Sequence, residues 1–212
     1  MQNRRHDDAA RLSASPRTEA WTAPWCRPMA IAIAAALTLG LLTAAPAPAN
    51  AVACTLSGSG TSDSPYLVAT ADELAQVGSV CGLASAYRQT ANITLDSPAT
   101  GSSNHSPIGR AVTRFTGSYD GTGKLIIGLM INAPASDAIG LFGGTEGATL
   151  NDIHLIDARV AGNSDVGALV GYADNGTSIT NCSATGAVSG AGSVGGLVGG
   201  LLSQSDAPSS VE

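Results

Sequence analysis

The run Asp152-Ile153-His154-Leu155-Ile156-Asp157-Ala158-Arg159 holds the closest grouping of side chains in this sequence that could do chemistry. Two carboxylates across a glycosidic bond can hydrolyse it, one as acid and one as base or nucleophile. A base, often helped by Ca²⁺, suffices for lyase chemistry. Asp152 and Asp157 share a face only if the strand between them bends. Otherwise the positions beside Ile153 and Leu155 are the outward, solvated places of a strand. The other acids, Asp120, Asp137, Glu146, Asp165 and Asp174, are scattered. Asp120-Gly121-Thr122-Gly123 and Asp174-Asn175-Gly176 offer oxygen donors, but D-G and N-G are first of all turn signals. The nine-residue calcium repeat GGxGxDxUx is absent. No serine sits in G-x-S-x-G, and no G-K-[ST] follows the glycine pairs. The patterns therefore assign no catalytic residue, no metal ligand and no cofactor. Tyr119, Tyr172 and Arg159 are candidates for contact with a glycan or a protein.

The N-terminus points to export into an oxidising compartment. Residues 1–28 carry five arginines, and the uncharged run MAIAIAAALTLGLLTAA follows at 29–45. A Pro/Ala stretch then ends in Ala49-Asn50-Ala51. A basic lead, an apolar run and an A-x-A site make a secretory signal peptide, here residues 1–51 with cleavage between Ala51 and Val52. Arg4-Arg5 leaves twin-arginine export open, and Ala51-Val52-Ala53-Cys54 leaves acylation of Cys54 open. Cys26 is lost with the leader, so Cys54, Cys81 and Cys182 remain. In an exported protein two of the three can pair, and Cys54 and Cys81, which flank one segment, are the expected disulfide. Without C-x-x-C, and with His105 and His154 off ligand spacing, a metal reading is poor.

Loss of the leader leaves five cationic side chains against thirteen acidic ones, a net charge of −8. That field repels nucleic acid and anionic membrane, so neither is an expected partner. No second apolar span and no LPxTG-like motif occurs, so the expected product is secreted or extracellular, at most associated with a cell surface.

The elements that must position these residues come in two kinds. Residues 52–107 do not repeat and are read as an N-terminal cap. Thr70-Ala71-Asp72-Glu73 is a capping box for a short helix over about 71–80. Leu74 and Val77, with Val80 or Cys81, fall on one face of it. YLVA before it and AYRQTANITL after it read as strands. Residues 108–199 repeat. Gly140-Leu141-Phe142-Gly143 returns as Ala168-Leu169-Val170-Gly171 and as Gly196-Leu197-Val198-Gly199, in two steps of 28 residues. A second track runs Ile126, Leu129 and Ile131, then Leu150, Ile153 and Leu155, then Ile179, Cys182 and Ala184. A third pairs Val160 and Gly162 with Val188 and Gly190. Several tracks at one period mark a solenoid. Short apolar strands broken by Gly, Asn, Asp and Ser fit a β-helix, in which each turn lays its strands on the last. On this pattern Cys182 is a buried core thiol, a small hydrophobe standing where Ile153 and Leu129 stand.

These boxes, with the intervening I-x-N-C-x-A-x-G-x-V-x-G and the lead-in FTGSYDGTGKLIIGLMI, resemble the GLUG repeat of bacterial surface and secreted proteins. The resemblance implies an all-β, right-handed parallel β-helix, here of about three turns behind a cap with one short α-helix. It also implies a non-catalytic adhesin-like module, with a protein or glycan ligand at a cell surface. It brings no catalytic residues. The alternative is a polysaccharide-active β-helix enzyme, a lyase or glycoside hydrolase, or its degenerate relative. The third box is followed by a polar tail, 200–212, that lacks the apolar track. Three explanations stay open: the tail folds back as a cap, the end self-associates with another chain, or the chain is a truncated fragment of a larger adhesin.

Overall fold

The computed structural model describes residues 53–202 and 208–212. All lie within one unit, Pro48–Glu212. The expected leader and the Ala51–Val52 cleavage site lie outside the described residues. The described chain winds as a parallel β-solenoid with three sheets. The first stacks β1 (Tyr66–Val68), β2 (Ala86–Gln89), β4 (Ser118–Asp120), β8 (Thr149–Asn151), β11 (Ser178–Thr180) and β14 (Ser210–Val211). The second stacks β3 (Ile93–Thr94), β5 (Leu125–Ile127) with β6 (Met130–Asn132), β9 (His154–Ala161) and β12 (Ser183–Ser189). The third stacks β7 (Phe142–Glu146), β10 (Val170–Asp174) and β13 (Val198–Leu201). Each rung visits the sheets in that order, and the strand pairings are parallel.

The glycine boxes stack as one position, with Val170 between Phe142 and Val198. Their closing glycines have a steric cause. A Cβ on Gly171 would lie 2.3 Å from Ile139 N, and one on Gly199 would lie 2.3 Å from Val166 N. The bend that enters one box thus crosses tightly against the closing glycine of the next, where only hydrogen fits.

The solenoid has about four rungs, not three. Residues inside the expected cap lay down the extra one: Tyr87 stacks on Tyr119, Ile93 on Ile126 and Ile108 on Phe142. Their spacings exceed 28 residues because the corner loops are long, and the repeat is invisible there. The register of the second track also differs from its spacing. Ile126 stacks on Leu155, not Leu150, and Ile131 stacks on Val160. Tyr119 takes the place beneath Leu150. Four residues, Gly121–Lys124, turn the corner between β4 and β5, whereas only Asp152 and Ile153 do so between β8 and β9. Backbone ladders hold the strands in line while the corner absorbs the insertion.

Inside, the early rungs carry an aromatic column. Tyr66, Tyr87, Phe115, Phe142 and Tyr119 are joined by ring contacts of 5.0–6.5 Å between centroids. Five of the six aromatic residues beyond the leader are therefore spent on the core. Later rungs use Leu150, Leu155, Leu169, Val170 and Ile179, all fully buried. Gln89 is buried too; its Nε2 donates to Ala91 O and Leu125 O, and its Oε1 accepts from Tyr119 OH at 3.3 Å.

The cap begins with the capping box. Glu73 N–H donates to Thr70 Oγ1 at 3.2 Å, and Thr70 N–H donates to Glu73 Oε2 at 3.1 Å. The helix α1 covers only Ala71–Leu74, shorter than the expected 71–80. Bonds from Gln76 N to Glu73 O and from Val77 N to Leu74 O tighten the next turn, and Gly78 at φ 67° ends it. Leu74, Val77 and Cys81 still face the core, while Val80 points out. A disulfide joins Cys54 to Cys81, 27 residues apart. Tyr87 OH accepts from Gly78 N and donates to Gly82 O, tying the cap to the first rung. Burial raises the Tyr87 phenol above its ordinary pKa.

The last described residues of the tail return to the first sheet. Ser210 and Val211 pair with Ser178 and Ile179 as β14, and Asn181 N donates to Glu212 O. Val211 occupies the register place of Ile179 and Leu150. Cys182, expected to be fully buried, is only partly so. Its counterpart Ile153 is covered completely, but Cys182 lies on the last full rung, where no complete rung shields it. Leu129 is not its counterpart, because Leu129 sits between β5 and β6, with its carbonyl accepting from Arg159 N.

Candidate interaction surface

The residues that could have formed a catalytic pair are separated into structural roles. Asp152 stands at a corner with φ 53°, a conformation Asp tolerates better than most residues. Its carboxylate accepts from Asn151 Nδ2 at 2.8 Å and from Asn181 Nδ2 on the next rung. Thr180 Oγ1 donates to Asn151 Oδ1 at 3.0 Å, extending this corner ladder. His154 Nδ1 shares a 2.8 Å hydrogen bond with Ser183 Oγ. Asp157 lies at the β9 irregularity with φ 55°, and its N–H donates to Thr185 Oγ1. Asp120 Oδ1 accepts from Thr122 N and its other oxygen faces Arg88 at 3.4 Å. Among the described residues, no three of His, Cys, Asp and Glu are grouped to hold a metal ion.

Tyr119, a sequence candidate for surface contact, is buried in the core and makes no surface. Burial, with Asp120 nearby, raises its phenol far above the ordinary value. Cys182 is likewise a packing residue: its thiol donates toward Thr180 O at 3.2 Å, and burial raises its pKa.

The outer face carries three features. The first is an ion cluster on the third sheet. Arg114 Nη1 donates to Asp174 Oδ2 at 2.5 Å, lies 4.0 Å from Glu146, and its guanidinium sits 5.0 Å above the Tyr172 ring. Asn175 Nδ2 donates to Glu146 Oε1 at 2.9 Å. Burial opposes the arginine charge, but the bond to Asp174 and the two carboxylates outweigh it and raise the Arg114 pKa. Planar stacking and a charge-assisted bond suit Arg better than Lys. Nothing local in the sequence marks this cluster, because its partners come from different rungs.

The second feature is a shallow groove of about 270 Å³ on the outer face of the second sheet. Met130, Arg159 and Ala187 form one outward row across three rungs, and Asn132, Ala161 and Ser189 form the next. Gly101 and Ser102 wall one side. Arg159 is thus the one sequence candidate whose side chain faces a concave surface on this sheet. The third feature is a cavity of about 510 Å³ between the 103–112 loop and the bend at 136–139. His105 lines it and is almost wholly buried, with Nε2 unpartnered. Desolvation lowers the His105 pKa to about 4, so the ring is neutral at pH 7.

Residues 162–189 match the model of the GLUG motif. The match runs from the bend before the second box to the end of β12, one rung in length. Halomucin of Haloquadratum walsbyi is 38% identical over 146 residues, covering 63% of this chain and 2% of halomucin. A protein of Evansella cellulosilytica described as a Gly-rich membrane protein is 36% identical over 87 residues, 41% of this chain and 10% of that protein. The chain therefore spans a small fraction of the curated relatives it matches. A Bacteroides ovatus crystal structure described as an immunoglobulin A1 protease aligns with 68% of this chain and 63% of its own, at 18% identity and a TM-score of 0.34. That likeness is too distant to bear on function. The described chain is thus a parallel β-solenoid that carries a GLUG motif at residues 162–189. Among the described residues no helix is long and apolar enough to cross a membrane.

Proposed function

We propose that this chain is an exported, non-catalytic β-solenoid module that mediates adhesion or interaction at a cell surface. The observation that carries it is that the rung matching the GLUG motif is tied to the one below through Asn181, which donates to Asp152, the acid of the best sequence candidate for chemistry. The similarity to halomucin and to a Gly-rich membrane protein supports a surface or extracellular location. The leader and the Cys54–Cys81 disulfide support export.

The groove over Met130, Arg159 and Ala187 is the proposed contact face for a protein or glycan ligand. It is open, repeats from rung to rung, and pairs an arginine with Asn132 and Ser189. Among the described residues Tyr66 and Tyr172 are the aromatics not fully buried; Tyr66 packs against the core, and Arg114 stacks on Tyr172. Stacking on sugars is therefore secondary to hydrogen bonding. The test is binding of labelled chain to whole bacterial cells, purified surface polysaccharide and extracellular matrix, with Arg159→Ala as the comparison. Saturable binding weakened by Arg159→Ala supports the assignment. Release of reducing ends or unsaturated sugars from a polysaccharide panel would overturn it in favour of an enzyme.

A further inference from the structure

The cavity of about 510 Å³ between the 103–112 loop and the bend at 136–139 has walls that hydrogen bonds hold in place. Asn104 pins the loop. Its N–H donates to Met130 O at 2.9 Å, and its Oδ1 accepts from Met130 N at 2.8 Å. Its Nδ2 donates to Gly128 O and Asp96 O. The side chain thus bonds the edge of β6 as a peptide group would. Asp137 pins the bend: its Oδ1 accepts from Asn163 Nδ2 at 2.8 Å and from Ser164 N at 3.0 Å. Ala138 N donates to Ser164 O at 3.0 Å. Both walls are therefore preformed, and the volume lies in the range of about 300–1,000 Å³ usual for small-molecule sites.

The lining combines an apolar floor with one charge of each sign. Ile131, Ala138 and Ile139 are buried and supply the floor. Ala138 holds φ 55°, and Asp165, its register equivalent one rung on, holds φ 53°. Asp suits that left-handed conformation better than Ala. The methyl at 138 keeps a second carboxylate out of the cavity. Arg110 comes from the loop wall and Asp137 from the bend wall. Among the described residues neither makes an ion pair within 4.0 Å, with the other or with a third group. His105 also lines the cavity, and its buried Nε2 has no hydrogen-bond partner among the described residues. A buried polar atom without a partner calls for an explanation, and a ligand against this wall is one.

We propose that this cavity binds a small zwitterion, an amino acid or dipeptide, with its carboxylate on Arg110, its ammonium on Asp137 and an apolar side chain against the floor of Ile131 and Ile139. Three observations select that class. The two charges stand on different walls and are not spent on one another, so a molecule carrying both signs satisfies both. Burial keeps His105 neutral at pH 7, so the lining charges balance. The chain as a whole is acidic, which disfavours a net anion. A sugar fits less well, because no aromatic ring lines the cavity to stack on it.

Titration calorimetry on the disulfide-bonded chain at pH 7, with L-leucine and leucyl-leucine as probes, tests this, and the ring resonances of His105 locate the binding. The expected result is saturable binding of at least one probe that shifts those resonances. N-acetyl-leucine, which lacks the ammonium, and leucinamide, which lacks the carboxylate, should each bind about tenfold more weakly or worse than leucine. Arg110→Gln and Asp137→Asn should weaken binding of the zwitterion by a similar factor. Both are at exposed positions, and Asn keeps the Oδ1 acceptor that holds the bend, so both should melt at the parent temperature. Arg110→Gln should leave leucinamide binding unchanged, and Asp137→Asn should leave N-acetyl-leucine binding unchanged, since each variant removes a contact that the blocked probe does not make. No saturable binding of either zwitterion below about 10 mM overturns the proposal. So does binding that leaves the His105 resonances unmoved, or that survives undiminished in both variants. Binding of glucose or glucuronate in place of the zwitterions overturns it too and reassigns the cavity to a sugar.

Discussion

Substituting Gly171 by alanine tests why the box motif ends in glycine. The added Cβ would lie 2.3 Å from Ile139 N, 2.4 Å from Ala138 C and 2.7 Å from Gly143 O. All three are backbone atoms, so no side chain can rotate away. Relief requires the Ala138–Ile139 bend or the box strand to shift, and both belong to ladders packed on the core. Overpacking of this kind costs about 1–3 kcal/mol, and three simultaneous backbone contacts place Gly171→Ala near 3 kcal/mol. For a domain of this size 1 kcal/mol moves the thermal midpoint by about 2–4 °C, so the expected fall is roughly 6–12 °C. Gly196→Ala is the matched control. It meets nothing within 4 Å and should stay within about 0.5 kcal/mol of the parent. Thermal and urea melts by far-ultraviolet circular dichroism, at low micromolar concentration with the disulfide intact, give both values. Equal midpoints for Gly171→Ala and the parent, or an equal loss in Gly196→Ala, would refute the steric account.

Removing the Cys54–Cys81 bridge by a double Ser substitution should cost about 3–4 kcal/mol by the loop-entropy estimate, seen as a lower urea midpoint than the parent under oxidising conditions. His105 is neutral in the fold, with a pKa of about 4 against an ordinary 6.5. The unfolded chain therefore binds its proton first, and this contribution is intact above pH 6.5 and lost as pH falls toward 4. A shift of that size is worth about 3 kcal/mol, so His105→Leu should lose markedly less stability than the parent between pH 7 and pH 4.5. Arg114→Ala strands the nearly buried Asp174 carboxylate and should cost about 1.5–3 kcal/mol by urea melt. Arg114→Lys should recover only part of that, since it cannot stack as a plane on Tyr172.

The third sheet was legible in the sequence because its boxes repeat with a constant step and each strand is entered by an identical bend. The first sheet was not. Between Tyr119, Leu150, Ile179 and Val211 the spacing changes at every rung, because corner loops differ in length while the strands still stack. The first rung escaped for the same reason: Tyr87, Ile93 and Ile108 share no motif with the residues above them. The capping box was readable because its partners lie three residues apart. The helix length was not, since Gly78 and the cap packing end it early. The Arg114 cluster joins residues 60 apart, Arg114 and Asp174, through a stacking that no local pattern encodes. Arg159 could be singled out as a cation in a cation-poor chain, but its groove exists only once Met130 and Ala187 align with it.

The central claim is that the three glycine boxes are one strand position seen on successive rungs. Nuclear Overhauser contacts between the backbones of Phe142, Val170 and Val198 measure this directly, since stacked strands lie about 4.8 Å apart. The expected result is that Val170 shows contacts to both Phe142 and Val198, in parallel register. Contacts from Val170 only to its sequence neighbours, or to an antiparallel partner within residues 172–189, would contradict the solenoid and every assignment built on it.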